Sequence, residues 1–447
     1  MTRSEFLNRR SGPSRALAIR IARHWRPSHA PRRGLLAFLG PGLITGASDD
    51  DPSGIATYSQ VGAQFGYGLA WVMLFSYPLM AATQEISARI GRVTGHGIAS
   101  NIRMHYPAWL LRAIVGLLLV ANIINLGADL GAMGDALHLM TGGPARVYVI
   151  VFAFICSALE IFVRYERYVS ILKWGTLSLF AYVATVVVVK VPWGQVVRDT
   201  VMPSFLWERD YIVAIVAVLG TTISPYLFFW QASEEAEDEH EHERMGARPL
   251  TLAPEQARTE IHRIRLDTYV GMGFSNLISL FIIITTAATL NAHGVTNIQT
   301  SSQAAEALRP IAGVFTFAAF AAGIIGTGML AVPVLAGSAA YALGEALGWS
   351  IGLARQPLDA KAFYGTIAAA TLIGILINFV DLDPIKALFW SAVLNGVVAV
   401  PLMIVMMIMT MQPKVMGAFT LPPLLRVMGW LSTAVMMAAV AIMFWTW

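Results

Sequence analysis

An all-α protein threaded repeatedly through a membrane is the fold class this sequence predicts, and three observations predict it. The 447 residues are 56% hydrophobic and only 13% charged, against roughly a quarter charged in soluble domains. Apolar windows long enough to cross ~30 Å of hydrocarbon recur along the whole chain. Two of those windows are interrupted, in matching positions, by proline and polar residues.

The windows fall at about 35–61, 68–90, 109–140, 146–163, 168–190, 211–232, 269–290, 310–342, 364–380, 385–410 and 427–446, which predicts about eleven transmembrane helices. With the N-terminus cytoplasmic, 25 of the 31 Lys and Arg residues lie on the cytoplasmic side, a strong positive-inside bias. An odd number of crossings then puts Trp447 outside. The expected organisation is a basic cytoplasmic tail over residues 1–34 and one transmembrane domain over 35–446. Within it, a first repeat spans about 35–190, a second about 211–410, and an extra helix about 427–446.

Residues 233–267 form a cytoplasmic loop that begins with seven acids and two His in eleven residues, Ser233–Glu243. Such runs are most simply solvated helical extensions. The tail, with nine Arg residues and one acid, suits a surface of anionic lipid. The lone Cys156 excludes an intrachain disulfide and a cysteine zinc site. No zinc-protease motif, nucleophile elbow or phosphate loop is present, which argues against an enzyme. The expected partners are the lipid bilayer and a transported solute, with no nucleic acid and no obligate protein partner.

The first window holds Asp49-Asp-Asp-Pro-Ser-Gly54. A carboxylate at membrane depth costs roughly 2.5–3.5 kcal/mol even on the lenient insertion scale, so a cavity, counter-ion or bound cation must compensate it. Pro52 removes a backbone donor and Gly54 relaxes helical geometry. The reading is a broken helix presenting Asp51 and bare carbonyls to a cation. Asp49 and Asp50 point about 100–200° away around the helix, so at most one joins Asp51 and otherwise both sit in a solvated vestibule.

The sixth window repeats the device: Gly220-Thr-Thr-Ile-Ser-Pro-Tyr226 breaks at Pro225 and frees carbonyls near Thr221. Two broken helices five apart point to a five-plus-five inverted repeat of the LeuT-like kind, with the site between the breaks. Thr221, Ser224 and Asn395 are the polar candidates facing Asp51; the hydroxyls also suit simple back-bonding, and Asn395 an interhelical bond. Glu85, four residues before Arg89, reads as half of a local ion pair.

Gly40-Pro-Gly-Leu through Asp51-Pro-Ser-Gly54, Gly62-Ala-Gln-Phe-Gly-Tyr67 and Ser87-Ala-Arg-Ile-Gly-Arg-Val-Thr-Gly95 resemble the opening of the NRAMP divalent-metal transporters. The likeness is dense over the first two helices and looser through Asn125-Leu-Gly-Ala-Asp129 and the sixth helix. It implies an eleven- or twelve-helix inverted-repeat transporter that imports manganese or ferrous iron with protons. The metal-binding aspartate maps to Asp51 and the carbonyl ligand to Thr221. The amide ligand maps to Gly54, the thioether to Ser224, and two helix-6 histidines to Tyr226 and Gln231. Asp129 is kept, the acid three residues on is Ala132, and the ninth helix has no Arg.

A soft thioether selects transition metals; a roomier oxygen-only site suits Mg²⁺, which keeps several waters, and also Mn²⁺. The pattern is similar to the NRAMP-related magnesium transporters. The expectation is alternating-access import of Mg²⁺ or Mn²⁺ across a bacterial inner membrane, with weak or no proton coupling and no cofactor. Asp51, Thr221, Ser224, Gly54 and Asn395 form the site, and Asp50, Asp129, Tyr226 and Gln231 line it or its pathway. The alternatives are a transporter of the same fold for a non-metal solute and a transport-inactive sensor or scaffold.

Overall fold

The computed structural model describes residues 41–163, 175–242, 246–380 and 383–447. The basic tail and the Arg164–Lys173 stretch lie outside the described residues. Regular structure among the described residues is entirely helical, and each apolar window coincides with a helical segment. The first window is split into α1 (Pro41–Asp49) and α2 (Pro52–Phe65). Then come α3 (Ala70–Thr94), a short α4 (Ile98–His105), α5 (Ala108–Thr141) and α6 (Ala145–Phe162). The fifth window is described from Gly175, as a 3₁₀ turn running into α7 (Phe180–Val188). It is followed by α8 (Trp193–Val201) after a 119° bend.

The sixth window is split into α9 (Arg209–Thr222) and α10 (Pro225–Glu241). The remainder are α11 (Ala257–Thr289), α12 (Thr316–Leu347), α13 (Lys361–Ile377), α14 (Pro384–Thr410) and α15 (Pro423–Trp445). Among the described residues, seven spans are long and apolar enough to cross a membrane unaided. The others are shorter, interrupted or, like α3, carry buried polar residues such as Gln84, Glu85 and Arg89.

The two breaks follow from local chemistry. Asp51 caps α2: its backbone is extended (φ −69°, ψ 171°) and its side chain accepts from the Gly54 N–H. Pro52 takes the first helical position, where a missing N–H costs nothing. Ser224 and Pro225 repeat the extended backbone and the first-turn proline, without the side-chain cap, at the start of α10, after Ile223 leaves helical geometry at ψ 56°.

Small residues set the crossings beside the breaks. A Cβ on Gly46 of α1 would lie 2.4 Å from the Gly271 carbonyl of α11, and one on Gly220 of α9 would lie 2.0 Å from the Ala392 carbonyl of α14. Backbone therefore meets backbone at both places, as in other close membrane-helix contacts. Gly328 of α12 is likewise filled by Met133. On α3, Glu85 and Arg89 form the expected i,i+4 pair at 2.5 Å, with Arg265 3.7 Å from the same oxygen.

The acidic run is helical but not simply solvated. Glu235 and Glu239 are buried, and Glu235 pairs with Arg263 of α11 at 2.5 Å. Ser233 donates to Glu345 of α12 at 2.7 Å, and Glu345 also accepts from the Ser100 N–H in the first turn of α4. The run therefore docks on its neighbours, through Glu235 on Arg263 of α11 and through Ser233 on Glu345 of α12.

Candidate functional site at the two helix breaks

Asp51 is 2% exposed. One carboxylate oxygen accepts from the Gly54 N–H at 2.7 Å and the Ser53 hydroxyl at 2.8 Å, which fixes it to its own helix. The other oxygen faces other helices. Asn125 Nδ2 on α5 donates to it at 3.1 Å, and the Tyr226 hydroxyl on α10 lies 3.3 Å away. That hydroxyl is also 3.1 Å from the Ser48 carbonyl. A phenol has a single proton to give, so three oxygens converge here with one hydrogen among them. Every partner of Asp51 is neutral.

Asp129 lies one turn after Asn125 on α5 and is fully buried. Neither of its oxygens has a hydrogen-bond partner among the described residues. The Ser53 backbone N–H faces it without closing a bond, and Asp51 is near enough for the two charges to repel. A second polar pair stands on α14: Ser391 donates to the Asn125 amide oxygen at 2.7 Å. One turn on, Asn395 is buried with neither amide atom bonded among the described residues. Asn125 thus links the first break to α14.

On the α9–α10 side, the Thr221 and Tyr58 hydroxyls are 2.8 Å apart. The Ser224 hydroxyl lies 2.8 Å from both the Gly220 and Thr221 carbonyls. It back-bonds to the turn it terminates, leaving the Thr221 carbonyl its second lone pair.

Two expectations are corrected. Gly54 does not make the site roomier: a Cβ there would meet Thr221 Oγ1 at 3.1 Å and Tyr58 at 3.2 Å, so those side chains already occupy the space. Asp49 and Asp50 are not in a solvated vestibule, being 1% and 3% exposed. Ser275 of α11 donates toward them, at 2.6 Å from Asp49 and 3.1 Å from Asp50, and Ser279 is 3.3 Å from Asp50. The crossing that packs α1 onto α11 excludes water from both. Gln231, expected along the pathway, bonds Thr268 of α11 at 3.0 Å.

Sequence reasoning missed Asn125, Ser391, Ser275, Ser279 and Tyr58 as neighbours of the acidic break. The available signal was polar pairs four apart in apolar helices: Asn125/Asp129, Ser391/Asn395 and Ser275/Ser279. No cluster of three or more His, Cys, Asp or Glu arranged to hold a metal occurs among the described residues. Any cation here relies on hydroxyl, amide and carbonyl oxygens beside Asp51.

The family model described as natural resistance-associated macrophage protein-like (Nramp) matches residues 42–446. The chain belongs to the Nramp family. Nramp proteins are membrane transporters, not enzymes; the metal is their substrate and no cofactor is involved. One relative is the divalent metal cation transporter MntH of Caldanaerobacter subterraneus subsp. tengcongensis, 25% identical over 412 residues, covering 88% of this chain and 89% of that one. Another is MntH of Deinococcus radiodurans, 25% identical and covering 97% and 95%.

Among solved structures, the Eremococcus coleocola manganese transporter superposes with a TM-score of 0.74 at 17% identity, covering 93% of this chain and 88% of that one. MhsT in complex with L-phenylalanine gives 0.60 at 12% identity, covering 91% and 98%. The Nramp chain thus shares its fold with both.

Proposed function

We propose that this Nramp protein carries a divalent metal cation, Mg²⁺ or Mn²⁺, across the membrane by alternating access, as an importer. The observation that carries the reading is the pair Asp51 and Asp129. Two carboxylates are buried in the bundle, one held only by neutral donors and the other by none, with no Lys or Arg bonded to either among the described residues. Buried carboxylates without a counter-ion are costly, and one divalent cation neutralises both.

Asp51 is the principal ligand in this reading. Its inter-helix oxygen, the Tyr226 hydroxyl and the Ser48 carbonyl offer a seat in which a cation replaces the missing hydrogens. Thr221 adds a carbonyl from the opposite break. Asn395 supplies an unpartnered amide suited to the ion's water shell, and Ser224 and Gly54 shape the break without donating. The donors are oxygens, which favours hard cations and a partly hydrated ion. The names of the MntH relatives support divalent metal as the substrate class.

Weak or absent proton coupling fits the same residues. Where a titratable relay is expected, Tyr226 and Gln231 are held in hydrogen bonds, position 132 is alanine, and α13 has no Arg. The cation then moves down its own gradient and the membrane potential, worth roughly 2.3 kcal/mol per charge per 100 mV. In this reading the membrane is a bacterial inner membrane and the N-terminus is cytoplasmic, an orientation that the distribution of basic residues supports.

The test is uptake of Mg²⁺, Mn²⁺ and amino acids into proteoliposomes, with internal pH recorded. Metal uptake should vanish in Asp51→Ala. Metal uptake that survives that change overturns the site; amino-acid uptake without metal uptake overturns the substrate class. Metal-dependent acidification overturns the uncoupled reading.

A further inference from the structure

We propose that Glu234, Glu237 and Tyr341 form a proton-binding latch at the far end of α10, through which acidity at that mouth clamps the half-helix that touches Asp51. It goes beyond the transport reading and rests on it only for the effect on turnover.

The Tyr341 hydroxyl has fewer hydrogens than the carboxylates around it can accept. Glu237 accepts from the Ala354 N–H at 2.7 Å, from the Leu353 N–H at 3.2 Å and from the Tyr341 hydroxyl. The same hydroxyl oxygen lies 3.0 Å from Glu234 Oε1 and accepts from the Leu353 N–H at 3.3 Å. A phenol donates once and accepts twice. Its proton goes to Glu237, so its contact with Glu234 closes only when Glu234 brings a hydrogen of its own. A protonated Glu234 completes the set: its O–H donates to Tyr341, and Tyr341 donates to Glu237. Without that proton, two carboxylates compete for one hydroxyl.

The surroundings assign the proton to Glu234. Glu237 has two backbone N–H donors and faces Arg355, which suits the charged form. Glu234 faces Glu237, Tyr341, Glu241 and Asp238, three of them acids. On α4, Arg103 is directed at Gly348 and Glu345. From α13, Tyr364 feels both Glu237 and Glu160, and its hydroxyl lies 3.3 Å from the Leu353 carbonyl and 3.1 Å from the Arg355 carbonyl, either of which can take its one proton.

Glu160 is the independent second sign. It approaches α12 from α6, one turn away from Tyr341, is 5% exposed, and its Oε1 has no hydrogen-bond partner among the described residues. That oxygen is 3.5 Å from where a Cβ on Gly337 would stand, one turn of α12 before Tyr341. Three acids therefore surround one stretch of α12, with Arg355 the base that faces Glu237. The site takes protons to stay together.

The latch is built to hold something. Gly352, at φ +126°, brings the backbone so close to Glu237 that a Cβ would lie 2.9 Å from its carboxylate. That approach ties the segment after α12 to α10. Glu237 is eleven residues, or about three turns, from Tyr226 and on nearly the same helix face. Closing the latch therefore fixes the helix whose other end meets Asp51.

Hydrogen–deuterium exchange of residues 348–360, corrected for intrinsic rate, tests this on the full-length protein in nanodiscs. Wild type should lose about tenfold of its protection between a mildly acidic and a mildly alkaline pH, the direction in which a proton held this way is released. Glu234→Gln, whose amide can donate as the acid does, should keep protection at both values. Tyr341→Phe should lack it at both. Wild-type protection that is equal at both pH values, or a Glu234→Gln profile that falls like wild type, overturns the proposal. Because the readout is exchange, it stands or falls independently of metal transport. In proteoliposomes, the pH dependence of uptake on the α10-mouth side should flatten in Glu234→Gln.

Discussion

Asn125 donates to Asp51 at 3.1 Å across the gap between α5 and the first break, so the acid's position depends on a helix distant in sequence. The amide's other end is held by Ser391 at 2.7 Å, which fixes which way it faces. Groups that orient a metal ligand typically matter about 10–100-fold in affinity. Asn125→Ala should therefore raise the half-saturating metal concentration about tenfold or more, with Ser391→Ala smaller in the same direction. Concentration series of uptake measure both, and a variant indistinguishable from wild type removes Asn125 from the site.

Removing one member of a buried ion pair strands the other. Glu235 is 0% exposed and its partner Arg263 only 18% exposed, at 2.5 Å. Arg263→Ala should cost about 3–5 kcal/mol, visible as a lowered unfolding temperature in detergent. Glu235→Gln leaves Arg263 charged but still paired with Glu260 at 3.1 Å, and should cost less. An inverted order would show that the pair is not what joins α10 to α11.

Selectivity should respond at Ser224 before it responds at Gly54. Ser224→Met gives up the hydroxyl's bonds to the Gly220 and Thr221 carbonyls but brings a soft donor to the break. The expected outcome is a higher Mn²⁺ to Mg²⁺ uptake ratio. Gly54→Asn alone should impair transport of both ions, because the new side chain meets Thr221 and Tyr58. Pairing it with Thr221→Ala should relieve that loss. If the ratio is unchanged in Ser224→Met, the break does not govern ion choice.

Gly46→Ala should be destabilising by about 1–3 kcal/mol, the range for overpacking, since its Cβ would fall 2.4 Å from backbone atoms of Gly271 that cannot rotate aside. Gly365→Ala on α13 is the control, with nothing within 4 Å of its new methyl. Equal unfolding temperatures for the two variants would refute the close crossing.

The helices were legible because apolar length is a local property, and both breaks were legible because proline and acid sit where hydrocarbon is expected. Asp51 stood out for the same reason. What surrounds it did not, since Asn125, Ser391 and Ser275 become neighbours of the acidic break only when α5, α14 and α11 are packed around α1 and α2. Gly54 shows the same limit from the other side. A missing side chain reads as space in the sequence, but Thr221 and Tyr58 arrive from elsewhere to fill it. The acidic run misled for a related reason: its charge is answered by Arg263, Tyr341 and backbone amides that lie far along the chain.

The neutral company of Asp51 and Asp129 also has an electrical consequence. With both carboxylates ionised, the site holding a divalent ion carries no net charge, while the vacant site carries two negative ones. An inside-negative voltage then does no work on the loaded step. It pushes the vacant site outward, by up to about 2.3 kcal/mol per charge per 100 mV. Voltage should therefore set how fast the protein resets, and currents from the reset should disappear in Asp51→Ala/Asp129→Ala.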